Sequence, residues 1–299
     1  MPHNHDHSHA PSSFDSAFTI GTTLNAGLVI AELSFGYLSN SLALISDGVH
    51  NLSDVVGLLL AWGAAWLATR RPSAIHTYGF RRASILAALG NAALILIATG
   101  GLLLEAVQRL SSPPSVASAT VLWVASVAIV VNTATALLSL RGREDLNING
   151  AFLHMAADAG VSLGVLIAAL IIGRTGWLWL DPVASIVVAI VVLWSGWGLM
   201  RDALHLALDA VPAGISRPAV EAYLMNLPGV TGVHDLHIWG MSTTETALTV
   251  HLVRPASQMD DRFLSDAAEE LDRRFSIHHS TIQIEAGDGA CRQAPEHVL

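Results

Sequence analysis

The segment Leu42–Ala68 reads LALISDGVHNLSDVVGLLLAWGAAWLA. Roughly 20 mainly apolar residues suffice for a helix to cross a ~30 Å hydrocarbon core, and this stretch exceeds that length. It nevertheless carries Asp47, His50 and Asp54, ionisable groups at a depth where charge is expensive and marks a site or a pathway. His50 and Asp54 are four residues apart, and Asp47 precedes His50 by three. All three therefore share one helix face.

Five further apolar runs of spanning length are expected, at about Phe18–Tyr37, Ile85–Val107, Val116–Leu140, Ile148–Ile172 and Val183–Leu206. Short breaks with turn chemistry separate them, such as Ser39-Asn40-Ser41 and Ser111-Ser112-Pro113-Pro114. The composition agrees. Apolar residues make up 52% of the 299 positions and charged residues 13%, about half the ~25% of a typical soluble protein. The fifteen basic residues are all Arg, and the net charge of -9 excludes a nucleic-acid binder. The single cysteine, Cys291, excludes a disulfide framework, and the apolar content excludes a disordered chain.

Arginine placement sets the expected orientation. The second and fourth connections carry Arg70, Arg71, Arg81, Arg82, Arg141 and Arg143, whereas the third and fifth carry Arg109 and Arg174 and the first none. The arginine-rich connections are assigned to the cytoplasm, and six spans then leave both termini there. The leader lacks a basic n-region and a small-x-small cleavage site, so the first span is expected to remain in the mature protein.

Past about Asp209 the chain turns polar. A helix is expected from Arg217 with Ser216 as its cap and Pro218 in the first turn, extending to Leu227. Val230–Trp239, Thr246–Val253 and Ser280–Glu285 alternate as strands do, and Asp260–Phe275 has helical spacing. The expected organisation is a disordered His-rich leader (1–16), an all-α membrane domain of six helices (17–209) and a cytoplasmic α+β domain of order α-β-β-α-β (210–299).

The fifth span repeats the His-x-x-x-Asp unit as His154 and Asp158. Two such pairs on two helices supply two imidazole nitrogens and two carboxylate oxygens, a shell that suits tetrahedral Zn²⁺. The absence of thiolate disfavours Cu(I), and two nitrogen ligands disfavour Ca²⁺ and Mg²⁺. Metal binding needs neutral imidazole and ionised carboxylate, so it displaces protons. Exchange of metal for protons at one site is the physical basis of antiport.

The run from Ser39 to His50 resembles the signature of the cation diffusion facilitator family, and the paired His-x-x-x-Asp units resemble its zinc-transporting branch. Leu227–Trp239 and Ser280–Glu285 are similar to the family's C-terminal domain. The resemblance covers nearly the whole chain. It implies a homodimer in the lipid bilayer that exports Zn²⁺, and often Cd²⁺ or Co²⁺, by alternating access with proton exchange, with no catalytic cofactor. It maps the transport site onto His50, Asp54, His154 and Asp158. It also implies a metallochaperone-like cytoplasmic domain with a regulatory metal site at His234, His251 and Glu285, with His278 as a further ligand.

Strand parity supports part of that set. His251 shares a face with Thr249, and Glu285 shares one with Gln283 and Thr281. His237, His279 and Cys291 are peripheral candidates. His76 matches one position of a further family site whose other histidine is replaced by Phe80, so it reads as a loop-packing residue. The leader histidines His3, His5, His7 and His9 fit either loose metal collection or a tail with incidental affinity. Glu32 and Asp181 read as structural, and Asp209 with Arg81 or Arg82 as a charge link.

Other classes fit less well. An acyltransferase needs one His-x-x-x-Asp copy rather than two on separate spans, and a zinc protease needs a His-Glu-x-x-His arrangement that is absent. A passive channel needs ions to leave easily, which a His/Asp shell opposes. The chain is therefore not expected to be an enzyme. Arg-only basic usage, compactness and the lack of targeting segments suggest a bacterial inner membrane.

Overall fold

The computed structural model describes residues 16–139, 146–255, 261–287 and Cys291, with side chains over the same range except 16–22, 138–139, 146–152 and 154. The His-rich leader lies outside the described residues. Six helices come first: α1 (Ser16–Leu38), α2 (Leu42–Ala68), α3 (Ala83–Ser111), α4 (Ser118–Ser139), α5 (Leu146–Thr175) and α6 (Leu180–Ala207). Five of them are long and apolar enough to cross a bilayer, and α1 contributes a shorter apolar stretch, Thr23–Leu38. Four of the expected spans lie within α1, α3, α5 and α6, and α2 has the bounds expected of it; the expected span Val116–Leu140 begins two residues before α4 and ends at Leu140, outside the described residues.

Large apolar side chains point outward: Ile97, Trp123 and Trp194 are each at least 74% exposed. A soluble monomer does not display apolar surface on this scale, and lipid tails accept it. Polar groups lie inside instead. Ser46, Asp47, Asn51, Asp158, Ser162, Asp181 and Ser185 are all buried. The chain is an integral membrane protein.

The structure divides into two compact units, one running up to Leu58 and including Ala93–Trp197, the other comprising Leu59–Ala92 and the residues from Gly198 onward. In the first unit, α2, α4 and α5 share a core of small and β-branched residues that includes Ala43, Val121, Ala125, Val165 and Ala169. Small residues let helix backbones approach where lipid supplies no hydrophobic drive. Gly48 shows how close α1 comes to α2. A Cβ there would lie 3.0 Å from both Glu32 Cβ and Leu33 Cδ2. Asp181 fixes the start of α2. Its carboxylate accepts from Ser41 Oγ (2.5 Å), Leu42 N (2.7 Å) and Ala43 N (3.4 Å), so it satisfies donors that a helix N-terminus leaves without partners.

In the second unit, residues beyond α6 form α7 (Arg217–Met225), β1 (Gly232–Gly240), β2 (Thr246–Val253), α8 (Asp261–Phe275) and β3 (His279–Glu285). Pro218 sits in the first turn of α7 as expected, and Ser216 occupies the cap position without making a side-chain cap bond. The sheet order is β1-β2-β3, with β1 antiparallel and β3 parallel to β2. The parallel pairing requires a crossover, which α8 provides. Asp261 begins α8 and Arg273 and Arg274 end it, each charge placed to suit the helix dipole. Val220 and Leu224 of α7 and Leu271 of α8 join Leu248, Val250 and Leu252 of β2 in one buried core. Burying side chains of this size contributes about 1.5–3 kcal/mol each.

Candidate metal sites

The intramembrane site is built on α2 and α5. His50 and Asp54 lie one turn apart on α2, as their spacing requires, and Asp158 faces them from α5. One ligand atom from each of the three lies within 4.8 Å of the others. His50 Nε2 is 3.1 Å from Asp158 Oδ1. One turn away a second rung joins the same helices, where Ser162 Oγ donates to Asp47 Oδ2 at 2.8 Å. The two rungs fix the register of α2 against α5 and hold the ligand atoms at coordinating separation. His154 lies on α5 four residues before Asp158, but its side chain is outside the described residues.

Charge at this site has no fixed counterion on its own helices. No Lys or Arg occurs in α2, and α5 has only Arg174, in its last turn. A buried carboxylate, Asp158, and a partly buried one, Asp54, beside an imidazole create a demand for positive charge that a divalent cation or protons can meet. Spacing along single helices missed the polar groups behind the site. Asn51 Nδ2 donates to Glu32 Oε2 at 2.8 Å, tying α1 to α2. Glu32, Asp47 and Asn51 each keep one buried oxygen without a hydrogen bond among the described residues.

A second constellation lies on the sheet. His234 pairs with His251 across β1 and β2, and Glu285 ends β3, two residues beyond Gln283, the neighbour of His251. Their ligand atoms, together with Cys291 Sγ, all lie within 4.8 Å of one another. His251 Nδ1 is 3.0 Å from Glu285 Oε1, and His234 Nε2 is 3.3 Å from Glu285 Oε2. Burial pulls the Glu285 carboxyl upward, but a hydrogen bond from Cys291 and the imidazoles of His234 and His251 outweigh it and hold it below the usual carboxylate range.

A bulge between His234 and His237 places Asp235 at φ 51°, with its carboxylate 2.9 Å from His237 Nε2 and 3.5 Å from His251 Nε2. A carboxylate behind an imidazole orients the ring and leaves its other nitrogen for a ligand. The sequence gives no sign of this role for Asp235, because a bulge interrupts the alternation from which strand faces are read.

His278 does not join this group. Its Nδ1 accepts from Thr246 N at 3.4 Å, and its Nε2 lies 3.8 Å from Asp272. It precedes Glu285 by seven residues, and at about 3.3 Å per strand residue that is roughly 23 Å along the strand. Of the peripheral residues, His237 pairs with Asp235, and His279 stacks edge-on against Tyr78 with centroids 5.8 Å apart. Only Cys291 reaches the cluster. His76 packs its ring on Phe80 at 4.7 Å. Arg82 pairs with Asp209 and Arg81 with Glu245.

Residues 18–206 match the cation efflux transmembrane domain, and residues 212–287 match the cytoplasmic domain of cation efflux proteins. The chain is 35% identical to a cadmium, cobalt and zinc/H(+)-K(+) antiporter of Bacillus subtilis over 93% of its length and 91% of the relative's. It is 36% identical to the metal cation efflux system protein CzcD of Cupriavidus metallidurans, over 98% of this chain and 92% of that protein. Identity to the zinc transporter ZitB of Escherichia coli is 33%, over 95% of this chain and 93% of that one. With family matches over most of its length and relatives this similar end to end, the chain belongs to the cation efflux family.

Proposed function

We propose that the chain is a proton-coupled efflux transporter of divalent metal cations, carrying Zn²⁺ and also Cd²⁺ and Co²⁺. The cation crosses by alternating access through an intramembrane site of His50, Asp54, His154 and Asp158. One observation carries this reading: three ligand atoms from two helices lie within 4.8 Å of one another, deep in apolar spans whose only basic side chain is Arg174 in the last turn of α5. With His154 the shell reaches the four ligands that zinc prefers. Substrate cation and protons compete for the same imidazoles and carboxylates. Loading from one side expels protons, and reprotonation from the other releases the ion. The names of the relatives support the same substrates and an antiport mode.

Residues 17–209 then act as the transmembrane domain, and residues 210–299 as the cytoplasmic dimerisation and metal-binding domain of a homodimer. His234, His251 and Glu285 form its regulatory site. The donor set suits zinc, and the buried Nε2 of His234 lies 3.3 Å from Glu285 Oε2 without hydrogen-bond alignment among the described residues, so the two atoms flank a space an ion can bridge. The protein sits in a bacterial inner membrane with both termini cytoplasmic. Reconstituted in sealed vesicles, the wild-type chain moves Zn²⁺ with opposing proton movement. Zinc flux that leaves an imposed pH gradient untouched would mark a channel instead. Zinc-independent turnover of an acyl donor would mark an enzyme.

A further inference from the structure

We propose that Cys291 is a thiolate ligand of the cytoplasmic metal site, which makes that site selective for thiophilic divalent cations. The inference rests on the reading of His234, His251 and Glu285 as a metal site and adds a residue that this reading does not use. Cys291 lies six residues past the end of β3, and its Sγ stands 3.6 Å from His251 Nδ1. Its thiol also hydrogen-bonds to Glu285, so one sulfur faces two of the three other ligands. All four ligand atoms fall within 4.8 Å, a separation that a single tetrahedral ion can bridge.

Three features make the cluster a site rather than a cysteine that happens to be near. The Nε2 of His234 is buried there, 3.3 Å from Glu285 Oε2 and without hydrogen-bond alignment among the described residues. Asp235 stands behind His251 and fixes which ring nitrogen faces the cluster. Two neutral imidazoles, one carboxylate and one thiolate carry a total charge of -2, which a divalent ion neutralises. On binding, the S–H bond breaks, sulfur keeps the electron pair as the metal ligand, and the proton leaves to solvent. Without sulfur the site is a nitrogen and oxygen set like the intramembrane one. With it, the domain discriminates by softness, favouring Cd²⁺ and Zn²⁺ over harder ions.

The chain has one cysteine, so any thiolate-to-metal absorption band reports Cys291. Full-length protein in detergent, carrying Asp158→Ala to weaken the intramembrane site, is titrated with Cd²⁺ while ultraviolet absorbance and bound metal are followed. A thiolate-to-cadmium charge-transfer band is expected to grow and saturate with one ion per protomer. Cys291→Ser is expected to remove the band and weaken that ion's binding by about tenfold or more. His251→Ala is expected to remove the band as well. One His251-dependent ion per protomer without the band, or with unchanged affinity in Cys291→Ser, overturns the proposal and leaves the three-residue site standing. A band that survives His251→Ala also overturns it. If no bound ion depends on His251, the three-residue reading fails and Cys291 fails with it.

Discussion

Asp158→Asn removes one negative charge from the intramembrane site and keeps the shape of the side chain. Asp158 is only 4% exposed and lies 3.1 Å from His50, so the amide has the same space and little water to replace the lost charge. Ligand atoms of His50, Asp54 and Asp158 within 4.8 Å of one another put a divalent ion in contact with all three. Unit charges 4 Å apart attract by about 4 kcal/mol at an effective dielectric of 20. The double charge of the ion enlarges that attraction, and the relief of burying one carboxylate fewer offsets a comparable share. A net loss of about 4 kcal/mol corresponds to roughly a thousandfold weaker Kd. The assay is calorimetric zinc titration of full-length protein in detergent, with His251→Ala in both backgrounds to remove the cytoplasmic ion. Asp209→Asn, an exposed partner of Arg82, serves as a control expected to leave zinc affinity unchanged. Zinc binding to Asp158→Asn within about threefold of its parent would refute the assignment of Asp158 as a ligand.

Asp181→Ala strips the start of α2 of its acceptor and is expected to cost about 2–3 kcal/mol, read as a lower thermal midpoint; unchanged melting contradicts the capping role. Gly48→Ala forces a methyl group against Glu32 and Leu33 and is expected to cost about 1–3 kcal/mol, with reduced zinc flux. Wild-type stability and flux in that variant would mean that α1 and α2 do not need their close approach there. Glu285→Gln is expected to lower bound zinc by one ion per protomer while vesicle flux persists. An unchanged metal content would remove zinc from the sheet cluster.

Much of the fold was legible because it depends on length and period. Leu42–Ala68 is both the expected span and the observed helix, since Ser39-Asn40-Ser41 precedes it and Thr69-Arg70-Arg71-Pro72 follows it. Thr246–Val253 likewise alternates over the length of β2. Pairing was not legible: alternation says which residues share a face but not that β3 runs parallel to β2. At the intramembrane site, i to i+4 spacing grouped His50 with Asp54. It gave no sign that Ser162 would bond Asp47 or that Asn51 would bond Glu32, because those contacts join different helices. In the sheet domain, His278 was placed with Glu285 by resemblance, and the extended rise of β3 carries it far from the cluster. Cys291 arrives by a tail whose path no periodicity describes.

Simultaneous recording of zinc and proton movement in sealed vesicles tests the four-residue transport site. It compares wild-type protein with single alanine variants of His50, Asp54, His154 and Asp158. Wild-type vesicles are expected to accumulate Zn²⁺ while an imposed pH gradient collapses, and each variant is expected to lose both signals together. Zinc flux that continues at the wild-type rate in Asp158→Ala, with or without proton movement, would contradict a transport site made of these four residues.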